Sequence, residues 1–175
     1  MPVSTARLLT CKNGLLLFLL LQSISGVAQT VIDYDGNVYN TVSIGNQTWM
    51  QENLKTTHYT NGVSIPTTLI NVAVDSTSLF QWAYNDDAAN ILLYGRLYTW
   101  FAIATNQNVC PSGWHVPDNS DWTELSNFLG GDSIAAGKMK ETGLTHWAVT
   151  DSTVTNPSLF TALPAGFRGN QSGFG

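Results

Sequence analysis

The stretch Asn108-Val-Cys-Pro-Ser-Gly-Trp-His-Val-Pro-Asp-Asn-Ser-Asp-Trp122 constrains this chain more than any other part of it. Pro111, Gly113 and Pro117 deny it regular helix, so the sequence predicts a structured loop over 106–117. The loop runs into a helix start. Asp118 stands at the N-cap, where a carboxylate accepts backbone N–H bonds, and Asp121 falls at the third helical position, from which it can reach back. Trp122, Leu125, Phe128 and Leu129 are expected to form the buried stripe of that helix, and Gly130-Gly131 to stop it. Asp132 to Lys138 is expected to make another short helix.

Upstream, Leu97, Trp100, Phe101 and Ala104 lie at i, i+3, i+4 and i+7, the spacing of a helix packed by one face on the core. Val31 to Met50 reads as strands joined by tight turns at Asp35-Gly36 and Gly45-Asn46, because Gly and Asn tolerate positive φ. Val38, Val42 and Ile44 are expected on one buried face. Gln51 to Leu54 is expected to make a helical turn, Asn61-Gly62 a turn, Leu79 to Tyr84 a strand, and Phe160 to Phe167 a strand-like segment ending near Arg168. Trp49, Trp100, Trp114 and Trp122 are assigned to the core.

The 175 residues suit a single domain, and only 11% are charged, against about 25% in an ordinary soluble domain. Arg7 and Lys12 precede the apolar run Leu15 to Leu21, and small residues lead to Gly26-Val-Ala28. That pattern predicts a signal peptide over 1–28, cut after Ala28, since the run is far shorter than the ~20 apolar residues a bilayer span requires. A secreted or cell-surface protein without a transmembrane anchor would follow. Cleavage would leave five Lys and Arg against twelve Asp and Glu, a formal charge of −7. Such acidity disfavours nucleic acid and anionic membranes as partners. It would also leave Cys110 as the lone cysteine of residues 29–175.

Further blocks join the loop: Asp35-Gly-Asn-Val-Tyr39, Ile44-Gly45, Gln47, Trp49-Met50, Glu52-Asn-Leu54, Tyr94-Gly95, Leu97-Tyr98 and Leu163-Pro-Ala-Gly-Phe-Arg168. In this order they resemble the Fibrobacter succinogenes major paralogous domain, a family of exported bacterial modules, from Val31 to Arg168. The resemblance implies a further strand block and a closing strand with a second cysteine beyond this sequence. Residues 29–175 are therefore expected to be one domain, incomplete at its C-terminus. Cys110 is expected to be half of a structural disulfide whose partner is absent. The Gly113 to Trp122 block is also similar to one in formylglycine-generating enzymes. By that analogy the fold is expected to be α+β and C-type-lectin-like, with two helices, twisted antiparallel sheets and long loops.

Catalytic chemistry finds no complete set in this sequence. His58, His115 and His146 lack metal-ligand spacing, and His115 is read as locking its loop by a hydrogen bond. Asp33 to Asn37 begins like a calcium loop, but the twelfth position is Ile44, so a hairpin turn is the better reading. Asp86-Asp87 and the pair Asp118 and Asp121 could hold calcium in a lectin-like site, though the latter two are explained as helix-start residues. No catalytic residue, metal or cofactor is assigned. Trp82, Tyr84, Tyr94 and Trp147 lie near polar loops and are the candidate ligand-binding aromatics. The expected role is non-catalytic binding or adhesion at a bacterial surface, to polysaccharide or a surface protein. The alternatives are a sulfatase-modifying enzyme of the formylglycine-generating kind, which a second cysteine near Cys110 in the fold would favour, and a purely structural module of a surface assembly.

Overall fold

Turn chemistry and capping set the frame of the molecule. The computed structural model describes residues 11–13, 29–69, 77–149, 152–169 and 173–175. The rest of the expected signal peptide, 1–10 and 14–28, and its cut after Ala28 lie outside the described residues.

The strands are β1 (Lys12–Asn13), β2 (Thr30–Ile32), β3 (Val38–Ile44), β4 (Gln47–Met50), β5 (Gln81–Trp82), β6 (Leu97–Tyr98), β7 (Trp114–His115), β8 (Arg168–Gly169) and β9 (Gly173–Phe174). The helices are α1 (Ile91–Tyr94), α2 (Trp100–Ile103), α3 (Asn119–Phe128) and α4 (Asp132–Met139). Mixed helix and small antiparallel sheets make the described fold α+β. The main sheet has the order β2-β3-β4-β1-β7, and β5-β6 and β8-β9 form two-stranded ribbons.

The hairpins follow the local sequence. Asp33 accepts the Asn37 N–H at 2.9 Å and the Tyr39 hydroxyl at 2.5 Å, which closes the Asp35-Gly36 turn between β2 and β3. Gly45, with φ of 62°, opens the two-residue turn that pairs Ile44 with Gln47. Strand β3 carries two phases of burial. Tyr39 is buried against β2, whereas Ile44 is buried and Val42 half-buried beside β4. Val38, expected inside, is therefore 52% exposed.

Helix α3 begins as its sequence dictates. Asp118 accepts the Ser120 and Asp121 N–H groups, and Asp121 returns a bond to the Asp118 N–H, a complete capping box. Leu125 and Leu129 are buried, but Phe128, expected in the same stripe, is 63% exposed, and Gly130 and Gly131, at φ of 107° and 94°, end the helix and lead into α4.

Four readings do not hold at this level. Helix α2 is one turn long, so Leu97 lies in β6, Ala102 carries the burial, and Trp100 is 60% exposed. Residues 51–54 bend without forming a helical turn, and 160–167 hold only a bridge between Ala162 and Lys140. The strand expected from Leu79 to Tyr84 shortens to β5.

The core has two main parts. One gathers Tyr39, Met50, Leu54, Tyr98 and Trp114 with Cys11 and Cys110. The other packs Ile44, Trp49, Leu125, Leu129 and Phe160 between β4 and the two longer helices.

Candidate functional site

Trp49 in β4 is fully buried and carries the side chains above it. Its ring lies 4.8 Å from that of Trp122 and 5.7 Å from that of Phe160. Trp122, assigned to the core from its spacing, is 40% exposed. One face rests on Trp49 and the remainder lines a cleft of about 430 Å³.

The cleft is built by three segments. Leu92 and Leu93 of α1 are 81% and 42% exposed and form an apolar wall. Trp122, Phe160 and Leu163 line the cleft as well. Gln51, Glu52 and Asn53, in the bend after β4, add polar groups to the lining. The Gln51 amide donates to the Leu159 carbonyl at 2.8 Å and the Asn53 amide to the Tyr94 carbonyl at 3.2 Å. Glu52 accepts two bonds from Asn40, from its N–H at 2.8 Å and its amide at 2.7 Å. These bonds fix the three side chains. They leave the Gln51 and Asn53 carbonyl oxygens as acceptors.

Gly95 holds α1 in place beside this floor. Its φ of 69° and ψ of −152° suit glycine alone, and a Cβ there would lie 2.6 Å from Asn53 Cβ.

The four candidate aromatics fall in different surroundings. Trp82 is buried, donates its indole N–H to the Thr68 carbonyl at 2.6 Å and lies 4.7 Å beneath the Arg168 guanidinium, so it presents no platform to solvent. Tyr84 is half-buried with its ring edge to face against Phe174 at 5.5 Å. Tyr94 and Trp147 lie at the border of the cleft. Tyr94 packs on His146 at 6.1 Å, and Trp147 bonds the Ala162 carbonyl at 3.0 Å, Ala162 being a lining residue. Lys140 Nζ lies 4.1 Å from the Trp147 ring centroid and covers that face.

Sequence reasoning missed Leu92, Leu93 and the Gln51 to Asn53 floor, and misplaced Trp122. The available signal was Ile91-Leu-Leu-Tyr94, an apolar run between Asn90 and Gly95 too short to bury all its members.

A second feature lies on β1, the strand paired with the Trp49 strand. Cys110, expected to lack a partner, is joined to Cys11 with a Cα–Cα distance of 5.8 Å, and both are fully buried. Beside the disulfide, Lys12 Nζ meets Asp121 Oδ1 at 2.5 Å and His115 Nε2 meets Asp121 Oδ2 at 2.9 Å. His115 thus locks its loop to the helix start, as its position suggested. Burial works to raise the pKa of Asp121, but donors from Lys12, the Asp118 N–H and His115 outweigh it and hold the carboxylate below its ordinary value. Asp35 follows the same balance: burial opposes, and the Thr57 N–H and hydroxyl, His58 and Thr56 prevail. His58 bonds Asp35 at 2.5 Å and His146 bonds Glu141 at 2.8 Å, so each histidine has a carboxylate partner. Asp86 pairs with Arg168 at 2.9 Å and Asp87 caps Ala89, which gives both acids structural work. Among the described residues, no group of three or more His, Cys, Asp and Glu is placed to hold a metal ion. No helix among them is long and apolar enough to cross a membrane.

The profile of the Fibrobacter succinogenes major domain matches residues 42–175. No curated protein and no solved structure matches the chain. The match covers most of the sequence, and the chain belongs to this family.

Proposed function

We propose that this member of the Fibrobacter succinogenes major domain family is an extracytoplasmic, non-catalytic binding domain of lectin-like architecture whose cleft takes a polysaccharide chain. The observation that carries the reading is Trp122, 40% exposed in the cleft wall and braced from behind by Trp49. A rigidly backed indole face stacks on the apolar face of a sugar ring, and neighbouring amide oxygens accept its hydroxyls. Gln51 and Asn53 bring such amide oxygens to the lining, and Leu92 and Leu93 add apolar surface to it. The charged group of the cleft is Glu52, and the whole chain is acidic, so a neutral glycan fits better than a uronic-acid polymer. The apolar run Leu15 to Leu21 and the small residues before Gln29 support export.

A second reading, an enzyme of the formylglycine-generating kind, draws on Cys11, which stands beside Cys110 as that reading requires. Against it, both cysteines are 0% exposed and bonded to each other, and β1 is built into the sheet beside them. A nucleophilic cysteine needs an accessible thiolate. A purely structural role gives no account of Leu92, left 81% exposed beside Trp122.

The test is pull-down of the purified chain on insoluble and soluble neutral glycans, with and without calcium. Binding lost in Trp122→Ala, with the circular dichroism unchanged, supports the reading. Binding by neither protein overturns it.

A further inference from the structure

Two of the segments that line the cleft are joined through one imidazole that is not itself in the lining. His146 Nδ1 faces both oxygens of Glu141, at 2.9 and 2.8 Å, and the two side chains are each 20% exposed. An ionised carboxylate only accepts, so Nδ1 carries a hydrogen and the titrating proton belongs on Nε2. Glu141 is bonded in turn to the cleft. Its N–H donates to the Ala162 carbonyl at 3.1 Å, and the same carbonyl takes the Trp147 indole N–H. The Ala162 N–H donates to the Met139 carbonyl at 2.8 Å. Ala162 lines the cleft together with Thr161 and Leu163. His146 also packs edge to face on Tyr94, with ring planes at 85°. Tyr94 ends α1, the single turn that presents Leu92 and Leu93 to the cleft, and its carbonyl receives the Asn53 amide. One side chain thus ties α1 to residues 139–147 and, through them, to 161–163.

Among the described residues, the titratable and charged groups that face His146 are Glu141 from its own segment and the Tyr94 phenol from α1. Lys140 is engaged on the ring of the neighbouring Trp147. Near neutral pH imidazole changes charge, whereas an ordinary carboxylate, ammonium or phenol does not. Protonation adds the Coulomb attraction of an ion pair to the Glu141 contact, and partial burial spares that attraction much of the screening of open solvent. It also places a cation about 6 Å from the Tyr94 ring, the outer reach of a cation–π attraction. Both ties of His146 therefore tighten when it is charged.

We propose that His146 is a positioning residue for the cleft. With a proton on Nε2 it clamps α1 to the 161–163 segment, and the cleft holds its glycan more tightly below the imidazole titration range than above it. This rests on the glycan reading of the cleft given above. The clamp adds no contact to the ligand; a clamped lining has less freedom to lose on binding. By linkage, binding then takes up a fraction of a proton.

The experiment compares the full chain with His146→Gln, whose amide keeps a donor for Glu141 but carries no titrating charge. Affinity for soluble dextran, xylan and laminarin is measured by isothermal titration at about pH 5.5 and about pH 8, on either side of the imidazole range. On the ligand-free proteins, NMR relaxation gives the order parameters of the Leu93 and Ala162 methyl groups at the same two pH values. The wild type is expected to bind about fivefold more tightly at the lower pH, and both methyl groups to be more ordered there. His146→Gln is expected to show neither difference, with its affinity at both pH values equal to that of the wild type at the higher one. A pH dependence of affinity that survives in His146→Gln overturns the proposal, and so do wild-type order parameters equal at the two pH values. Should His146→Gln not fold, the wild type alone decides: the methyl order and the His146 Cε1–H shift are expected to follow one titration curve, and separate midpoints overturn the proposal. Methyl order that changes with pH while no glycan binds at either pH supports the clamp and removes the glycan reading. Glycan binding with pH-independent methyl order removes the clamp and keeps the glycan reading.

Discussion

Lys12 and Asp121, 109 positions apart, are joined by a 2.5 Å ion pair with side-chain exposures of 13% and 9%. The contact ties the edge of the N-terminal segment to the start of the longest helix, next to the Cys11–Cys110 bond. A buried pair of this kind adds little net stability over an apolar pair, but removing one partner strands the other. Lys12→Met is therefore expected to lower stability by about 3 kcal/mol. Lys12→Met paired with Asp121→Leu should recover part of that loss. Urea midpoints of the three proteins decide it, and a double variant less stable than either single one would contradict the pairing.

Asp121 and Asp35 both have pKa values lowered in the fold. A carboxylate with a lowered folded pKa binds its proton more weakly in the native state than in the unfolded chain. Its contribution is present above the unfolded value near pH 4 and is lost as pH falls through the folded value. The urea midpoint should hold steady above about pH 5 and drop below about pH 4. Asp121→Asn should flatten that drop, and an unchanged acid limb in the variant would show that Asp121 does not carry it.

The Cys11–Cys110 bond closes a separation of 99 residues. A loop of that length loses much chain entropy when crosslinked, so reduction of the full chain should cost about 4–5 kcal/mol. Denaturant curves of oxidised and reduced protein check this, and coincident midpoints would contradict it.

Arg168 lies between Trp82, at 4.7 Å, and Phe174, at 4.6 Å, while its guanidinium meets Asp86. A planar cation fills this sandwich and an ammonium does not. Arg168→Lys should cost about 2 kcal/mol despite keeping the charge. Thermal unfolding of the variant measures it, and a Tm equal to the wild type would mean that charge alone matters there.

What the sequence made legible was local. The capping box of Asp118 and Asp121, the Gly130-Gly131 stop, the Gly45 turn and the Asp33 loop each depend on residues a few positions apart, and each is present. Likewise the family, read from short blocks in order, is the one matched over residues 42–175. What failed depended on distant packing. The periodicity that puts Trp100 inside presumes a long helix, and α2 is a single turn. Trp122 does touch the core through Trp49, but half-exposed it also builds a cleft with Leu92 and Leu93, residues 29 to 30 positions earlier. Trp82 reads as surface from its polar neighbours, whereas the Arg168 that covers it lies 86 residues away. Cys110 reads as unpaired because its partner, Cys11, lies in the segment the sequence assigns to the leader.

Isothermal titration of the full chain with a soluble neutral glycan, beside Trp122→Ala and Leu92→Ala, tests the central claim most directly. The account predicts saturable binding by the wild type, loss in Trp122→Ala, and weakening by roughly tenfold in Leu92→Ala, the equivalent of about 1.4 kcal/mol. Wild-type heats indistinguishable from dilution, or full binding retained in Trp122→Ala, would contradict it.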